Sequence, residues 1–148
     1  MRYFDTSYLV PLVLLEPTSG VVASHVESLE DGGMATSVWT KVEFSSVLGI
    51  RVRAKLLKPD EARKAERGFE DLMNSFVVLG VDQADFGLAI RMLEERELGL
   101  RSGDALHLAI ARNCGAEALL SLDKTLLRSA RHFGVHGTTG APITGYET

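Results

Sequence analysis

Residues 2–7 read Arg2-Tyr3-Phe4-Asp5-Thr6-Ser7, and residues 118–123 read Ala118-Leu119-Leu120-Ser121-Leu122-Asp123. Each is a short apolar run that closes on an aspartate, and each leads into a stretch with helical character. Such a run predicts a buried strand whose carboxyl end meets the start of a helix. In an open α/β sheet these ends converge on one crevice, and ligands bind there. Asp5 and Asp123, at opposite ends of the chain, are therefore expected to share a site.

Working outward from these two runs, strands and helices alternate. Strands are expected at 2–5, 34–36, 76–79 and 118–122, with a short edge strand at Val135-His136. Helices are expected over 7–15, from Ser19 to Leu29, from Val38 to Leu57, from Pro59 to Asn74, from Asp82 to Leu98, from Ser102 to Asn113, and from Asp123 to Phe133. Pro11 is tolerable near a first turn, Asp31-Gly32-Gly33 breaks the chain, and Gly99 stops a helix. The alternation predicts an α/β fold, a parallel sheet with helices on its faces. No internal repeat, low-complexity tract or linker appears, so residues 1–148 are expected to form one domain. Residues 137–148, rich in Gly and Thr, read as a loosely held tail.

Bulk composition narrows the function classes. The 148 residues are 45% apolar and 24% charged, with a net charge of −4. That balance argues against a broadly basic nucleic-acid surface, though not against nucleic acid held locally beside a cation. Cys114 is the single cysteine, which excludes an intramolecular disulfide and a cysteine zinc cluster. No apolar stretch approaches the ~20 residues of a membrane helix, and the first residues lack a signal-peptide layout. A cytoplasmic protein is the expectation.

Two more acids join the pair. Glu43 lies in Thr40-Lys41-Val42-Glu43-Phe44-Ser45-Ser46-Val47, where helical spacing puts it on a stripe with Ser46, Val47 and Ile50. That stripe reads as inward-facing, so a charge there needs a partner or a cation. Asp104 opens the helix Ser102-Gly103-Asp104-Ala105-Leu106-His107-Leu108-Ala109. Asp5, Asp104 and Asp123 also suit helix starts, where an aspartate stabilises without any further role. A site of three or four carboxylates suits Mg²⁺ or Mn²⁺ and can serve phosphodiester hydrolysis. The sequence contains no GxGxxG, Walker A, GxSxG, HExxH or CxxC pattern. The histidines, His25, His107, His132 and His136, have no metal-ligand spacing, and His107 reads as a packing or supporting residue.

Tyr3-Phe4-Asp5-Thr6-Ser7, Val42-Glu43-Phe44, the 102–109 segment and Leu120-Ser121-Leu122-Asp123 together resemble the PIN-domain ribonucleases, most closely the VapC toxins of type II toxin–antitoxin systems. The resemblance spans nearly the full length. It implies a three-layer α/β/α domain with a central parallel sheet of four to five strands. It further implies that Asp5, Glu43, Asp104 and Asp123 form an acidic quartet that binds Mg²⁺ or Mn²⁺. Ser7 and Ser121 match hydroxyl positions that support such a site, with Ser121 standing where Thr is frequent. The implied activity is metal-dependent cleavage of single-stranded or looped RNA (tRNA, rRNA or mRNA). The implied partners are a cognate antitoxin and a second copy of the chain in a homodimer. Other readings of the same residues are a PIN-fold binding module without catalysis, a PIN nuclease of RNA processing, and a receiver-type domain with one phospho-accepting aspartate. Arg2, Lys41, Arg101, Lys124 and Arg128 lie near the motifs as candidate phosphate contacts, and Trp39 as a core residue, base platform or partner anchor.

Overall fold

The computed structural model describes residues 1–146. Five strands run in the order β3-β2-β1-β4-β5, with every neighbouring pair parallel. They are β1 (Arg2–Phe4), β2 (Met34–Ser37), β3 (Val77–Leu79), β4 (Ala118–Leu120) and β5 (Gly137–Thr138). The helices are α1 (Thr6–Leu9), α2 (Ser19–Glu27), α3 (Val38–Arg53), α4 (Pro59–Met73), α5 (Gln83–Leu93), α6 (Ser102–Asn113) and α7 (Lys124–His132). No helix among the described residues is long and apolar enough to cross a membrane.

Side chains alternate across each strand, and the core divides accordingly. Phe4, Met34, Ala118 and Leu120 face one layer with Phe44, Phe69 and Phe76. Tyr3 and Leu119 face the other, with Met92, Leu108 and Leu126. Phe44 and Phe69 stack at 4.1 Å and 6°, joining α3 to α4. Local chemistry sets the helix starts. Pro59 opens α4 with Asp60 and Glu61 in its first turn, and the Glu61 carboxylate accepts from the Lys58 amide at 3.1 Å. Asp82 and Asp85 cap α5 reciprocally. The sheet is thus a three-layer α/β/α arrangement, with β1 at its centre between β2 and β4. The chain builds outward from β1 to β3 and then crosses back to β4, so strand order reverses between β1 and β4.

Four boundaries differ from the sequence reading. The helix expected over 7–15 stops at Leu9 and continues as one 3₁₀ turn, Val10–Leu12, because Pro11 has no N–H to give the helix. The helix expected to reach Leu57 ends at Arg53, where Lys55 turns the chain at φ 59. The one expected to reach Leu98 ends at Leu93, and a 3₁₀ turn at Arg96–Leu98 leads to Gly99 at φ 67. The edge strand lies at Gly137–Thr138 rather than Val135-His136, because Val135 is buried in the second core. A side chain at Gly137 would sit 2.9 Å from the Ala130 Cβ. Residues after β5 are also tied down: the Tyr8 hydroxyl donates to the Thr139 carbonyl at 2.8 Å, and the Tyr146 hydroxyl to the Leu122 carbonyl at 2.5 Å. Glu147 and Thr148, the end of the expected tail, lie outside the described residues.

The stack of Phe44 on Phe69 ties α3 to α4 through one side chain on each helix. Phe44→Ala is expected to lower unfolding free energy by about 3–5 kcal/mol. Val42→Ala, on the exposed side of the same helix, is expected to cost less than about 1 kcal/mol. Urea unfolding of both variants checks this, and equal losses would contradict the packing.

Candidate functional site

Asp5 is the first residue beyond β1, at the reversal of strand order. It caps α1 by accepting from the Tyr8 amide at 3.2 Å. The residue is only 2% exposed. Ser7 donates to its two oxygens at 2.8 and 3.0 Å, and Ser121 donates to it at 3.0 Å. Both serines are themselves placed by the β4 loop: the Leu122 amide donates to Ser7 Oγ and the Asp123 amide to Ser121 Oγ, each at 2.9 Å. Burial pushes the Asp5 carboxyl up to about 6, against the opposing pull of His107 charge and these hydrogen bonds.

Asp123 caps α7 by accepting from the Leu126 amide at 2.8 Å. Asp104 lies in the first turn of α6, and Arg101 occupies the position just before that helix. The Arg101 guanidinium reaches both acids. Nε donates to Asp104 Oδ2 and Nη2 donates to Asp123 Oδ2, each at 3.3 Å. Burial raises the Asp104 pKa, the Asp123 charge adds to the rise, and Arg101 opposes it.

Glu43 comes from α3. Its Oε1 accepts from Thr6 at 2.5 Å and pairs closely with His107 Nε2. A carboxylate only accepts, so Nε2 carries a proton. The His107 Nδ1 bonds the Tyr3 hydroxyl at 2.8 Å, and Tyr3 donates to Ser37 at 2.9 Å. Burial works to raise the Glu43 pKa, but His107, Thr6 and Arg101 outweigh it and the net shift is downward. Glu43 Oε2 lies over Gly103, where a Cβ would come within 2.8 Å of it. The residue before Asp104 therefore has to be small for Glu43 to keep this place.

The structure places Asp5, Glu43, Asp104 and Asp123 along one cleft, with Ser7 beside Asp5. Ser121 lies beneath Asp5, fully buried. The stripe of Glu43, Ser46, Val47 and Ile50 does not face inward as the helical spacing suggested. It lines the open cleft, while the neighbouring Phe44 and Leu48 enter the core. Trp39 stands half-buried at the cleft wall against Gly103, with its Nε1 buried and unpartnered. Thr6, Tyr3 and the double bond of Arg101 escaped the sequence reading; only the i, i+3 spacing of Arg101 and Asp104 hinted at the last. Among the described residues, no three acidic, histidine or cysteine side chains are gathered as a ready cage for an ion. Glu43 is turned to His107 and Thr6, and Arg101 takes the facing oxygens of Asp104 and Asp123.

Comparison with known proteins bears on the family and the fold. The PIN domain family model matches residues 2–131. No curated protein sequence matches the chain. Among solved structures, FitAcB from Neisseria gonorrhoeae superposes with a TM-score of 0.73 at 16% identity, covering 95% of this chain and 98% of that one. VapC20 from Mycobacterium tuberculosis, a toxin that cleaves the sarcin–ricin loop, gives 0.69 at 17% identity over 87% and 95%. VapBC2 from Rickettsia felis, bound to a DNA fragment from their promoter, gives 0.70 at 13% over 93% and 98%. At these identities the likeness is one of fold.

His107 is 1% exposed and joins Glu43 to Tyr3. Its removal takes one hydrogen bond each from buried Tyr3 and half-buried Glu43 and leaves a cavity, so His107→Ala is expected to cost about 2–4 kcal/mol in urea unfolding. A loss below about 1 kcal/mol would contradict the network. Asp5 gives a pH signature. Its folded pKa of about 6 exceeds the ordinary 3.8, so the folded chain holds the proton longer than the unfolded one. The penalty is absent below the lower value, grows as pH rises between the two, and persists above, on the order of 3 kcal/mol. In EDTA, Asp5→Asn is therefore expected to gain stability over wild type at about pH 7.5 but little at about pH 4. A difference that stays constant with pH would refute this.

Proposed function

The chain belongs to the PIN domain family, and from that premise we propose that it is a single-domain, metal-dependent endoribonuclease, the toxin of a type II toxin–antitoxin system. One observation carries the reading: four carboxylates from four separate elements line a single cleft at the point where strand order reverses. An all-oxygen set of this kind suits Mg²⁺ or Mn²⁺. The Arg101 guanidinium between Asp104 and Asp123 supports the same conclusion, since it stands where a cation is favoured.

Asp5 and Asp104 are the principal ligands in this reading, with Glu43 and Asp123 completing the set. The bound ion supplies Lewis-acid polarisation of the scissile phosphate and a water of lowered pKa. Ser7 and Ser121 fix the orientation of Asp5, and Thr6 and His107 fix Glu43. A divided charge pattern favours RNA. α7 carries Lys124, Arg128 and Arg131 and no acid, although the chain as a whole is at −4. With Tyr146 these residues line a second cleft beginning next to Asp123. A negative strand can be held there by counterion release while the acids hold the ion.

The likeness to a toxin that cleaves the sarcin–ricin loop supports looped RNA as the substrate class. The likeness to VapBC2 supports an antitoxin partner. Val42 and Ile50, apolar and exposed on the cleft side of α3, offer that partner a surface. A homodimer and a cytoplasmic location belong to the same proposal. The second reading, a binding module without catalysis, draws on the internal pairing of Glu43 and of the Asp104–Asp123 pair.

The purified protein is expected to cleave RNA in Mn²⁺ or Mg²⁺ and not in EDTA. Asp5→Asn and Asp104→Asn are each expected to slow cleavage by at least about 100-fold, roughly 3 kcal/mol of barrier. Sequencing of RNA ends after induced expression maps the cut sites. Unchanged cleavage in EDTA, or in both variants, would overturn the nuclease reading, and no metal-dependent cleavage in wild type would favour the binding module.

A further inference from the structure

Arg101 is the one residue that hydrogen-bonds two members of the acidic quartet among the described contacts. Its Nε and Nη2 take Asp104 Oδ2 and Asp123 Oδ2, both at 3.3 Å. These are two oxygens from two helix starts meeting on one planar cation. A divalent ion binds such oxygens at about 2.1–2.5 Å, so guanidinium and ion cannot share both at full strength. The acids are well shielded, with side chains 13% and 23% exposed, whereas the Arg101 side chain is 78% exposed. The acids are the shielded partners, and the exposed arginine is the one with room to move. Its backbone sits immediately before α6, so a released guanidinium stays at the rim of the cleft.

We propose that Arg101 is the exchangeable counterion of this site: it neutralises Asp104 and Asp123 in the ion-free protein, leaves them when the ion binds, and then grips the substrate phosphate. The proposal rests on the nuclease reading and adds a residue to it. A phosphodiester approaching four carboxylates needs a cation from the protein at the cleft edge. Lys124, beside Asp123 in sequence, lies over the Tyr146 ring at 5.1 Å in the α7 cleft and outside the cleft of the four acids. Lys41, on α3, lies within 4.0 Å of Glu70. Arg101 faces the cleft and has the fork geometry that matches two phosphate oxygens. In the ion-free state the guanidinium offsets part of the repulsion between Asp104 and Asp123, which the ion then takes over.

The test uses opposite signs. Mn²⁺ titration by calorimetry, without RNA, is expected to show Arg101→Gln binding the ion roughly 3- to 10-fold more tightly than wild type, because the competitor is gone. At saturating Mn²⁺ the same variant is expected to lose roughly 10-fold or more in kcat/KM on RNA. Arg101→Lys, a point charge without the fork, is expected to fall between the two on both axes. Mg²⁺ added to wild type is expected to shift the Arg101 Nε–H resonance, identified by its loss in Arg101→Lys. A purely structural residue would move metal affinity and turnover down together, and an idle one would move neither; either pattern overturns the proposal. An unmoved Nε–H resonance at saturating Mg²⁺ overturns it as well. A wild-type protein that neither binds Mn²⁺ nor cleaves RNA removes the nuclease reading itself, a result distinct from failure of Arg101 alone.

Discussion

A carboxylate buried to 2% exposure at the end of the central strand is the constraint around which the polar structure is organised. Asp5 cannot drop its charge into water, so its oxygens must find donors inside the fold. Those donors are two serine hydroxyls and one amide. The serines in turn accept amides from Leu122 and Asp123. The loop after β1 and the loop after β4 are thereby sewn together through one charged group. The same bonds that satisfy Asp5 set where Asp123 stands, and α7 starts from there. Satisfying one buried acid thus fixes the relative position of two.

Much of this was readable from residue pattern. Apolar runs ending in Asp5 and Asp123 announced two strands at one crevice, and the strand–helix alternation announced a parallel sheet. Both aspartates do cap helices, and they line the cleft as well, so local stability and site chemistry coincide at the same atoms. Glu43 shares its helical stripe with Ser46, Val47 and Ile50, as its spacing implies. Its stripe faces a cleft, not the core, and its charge is answered by His107 rather than stranded. Helical periodicity shows which residues share a face but not whether that face meets protein or open space. Pro11 and Lys55 shortened helices through single backbone conformations that an apolar pattern does not record. The tail after β5 looked loose because Gly and Thr carry little apolar signal, yet Tyr8 and Tyr146 hold it by hydroxyl bonds to carbonyls. The bonds from Tyr3 through His107 to Glu43 connect β1, α6 and α3, and sequence proximity carries no trace of such contacts.

The four acids are not equivalent, and the difference lies in their partners. Glu43 has the His107 ring, and Asp104 and Asp123 share Arg101. Asp5 has hydrogen bonds from neutral groups only, and burial pushes it up to about 6. A neutral donor stabilises a buried charge less than a cation does, so Asp5 is the quartet member with the most to gain from an ion. Its donors orient the carboxylate, and the His107 charge offsets only part of what burial costs it. The acids with cationic partners hold the cleft together in the meantime. The division places the strongest attraction for a cation at the innermost position, under the reversal of strand order, and the replaceable counterion at the rim. In the proposed function a negative strand would find its cations on Arg101 and α7, outside the innermost acid.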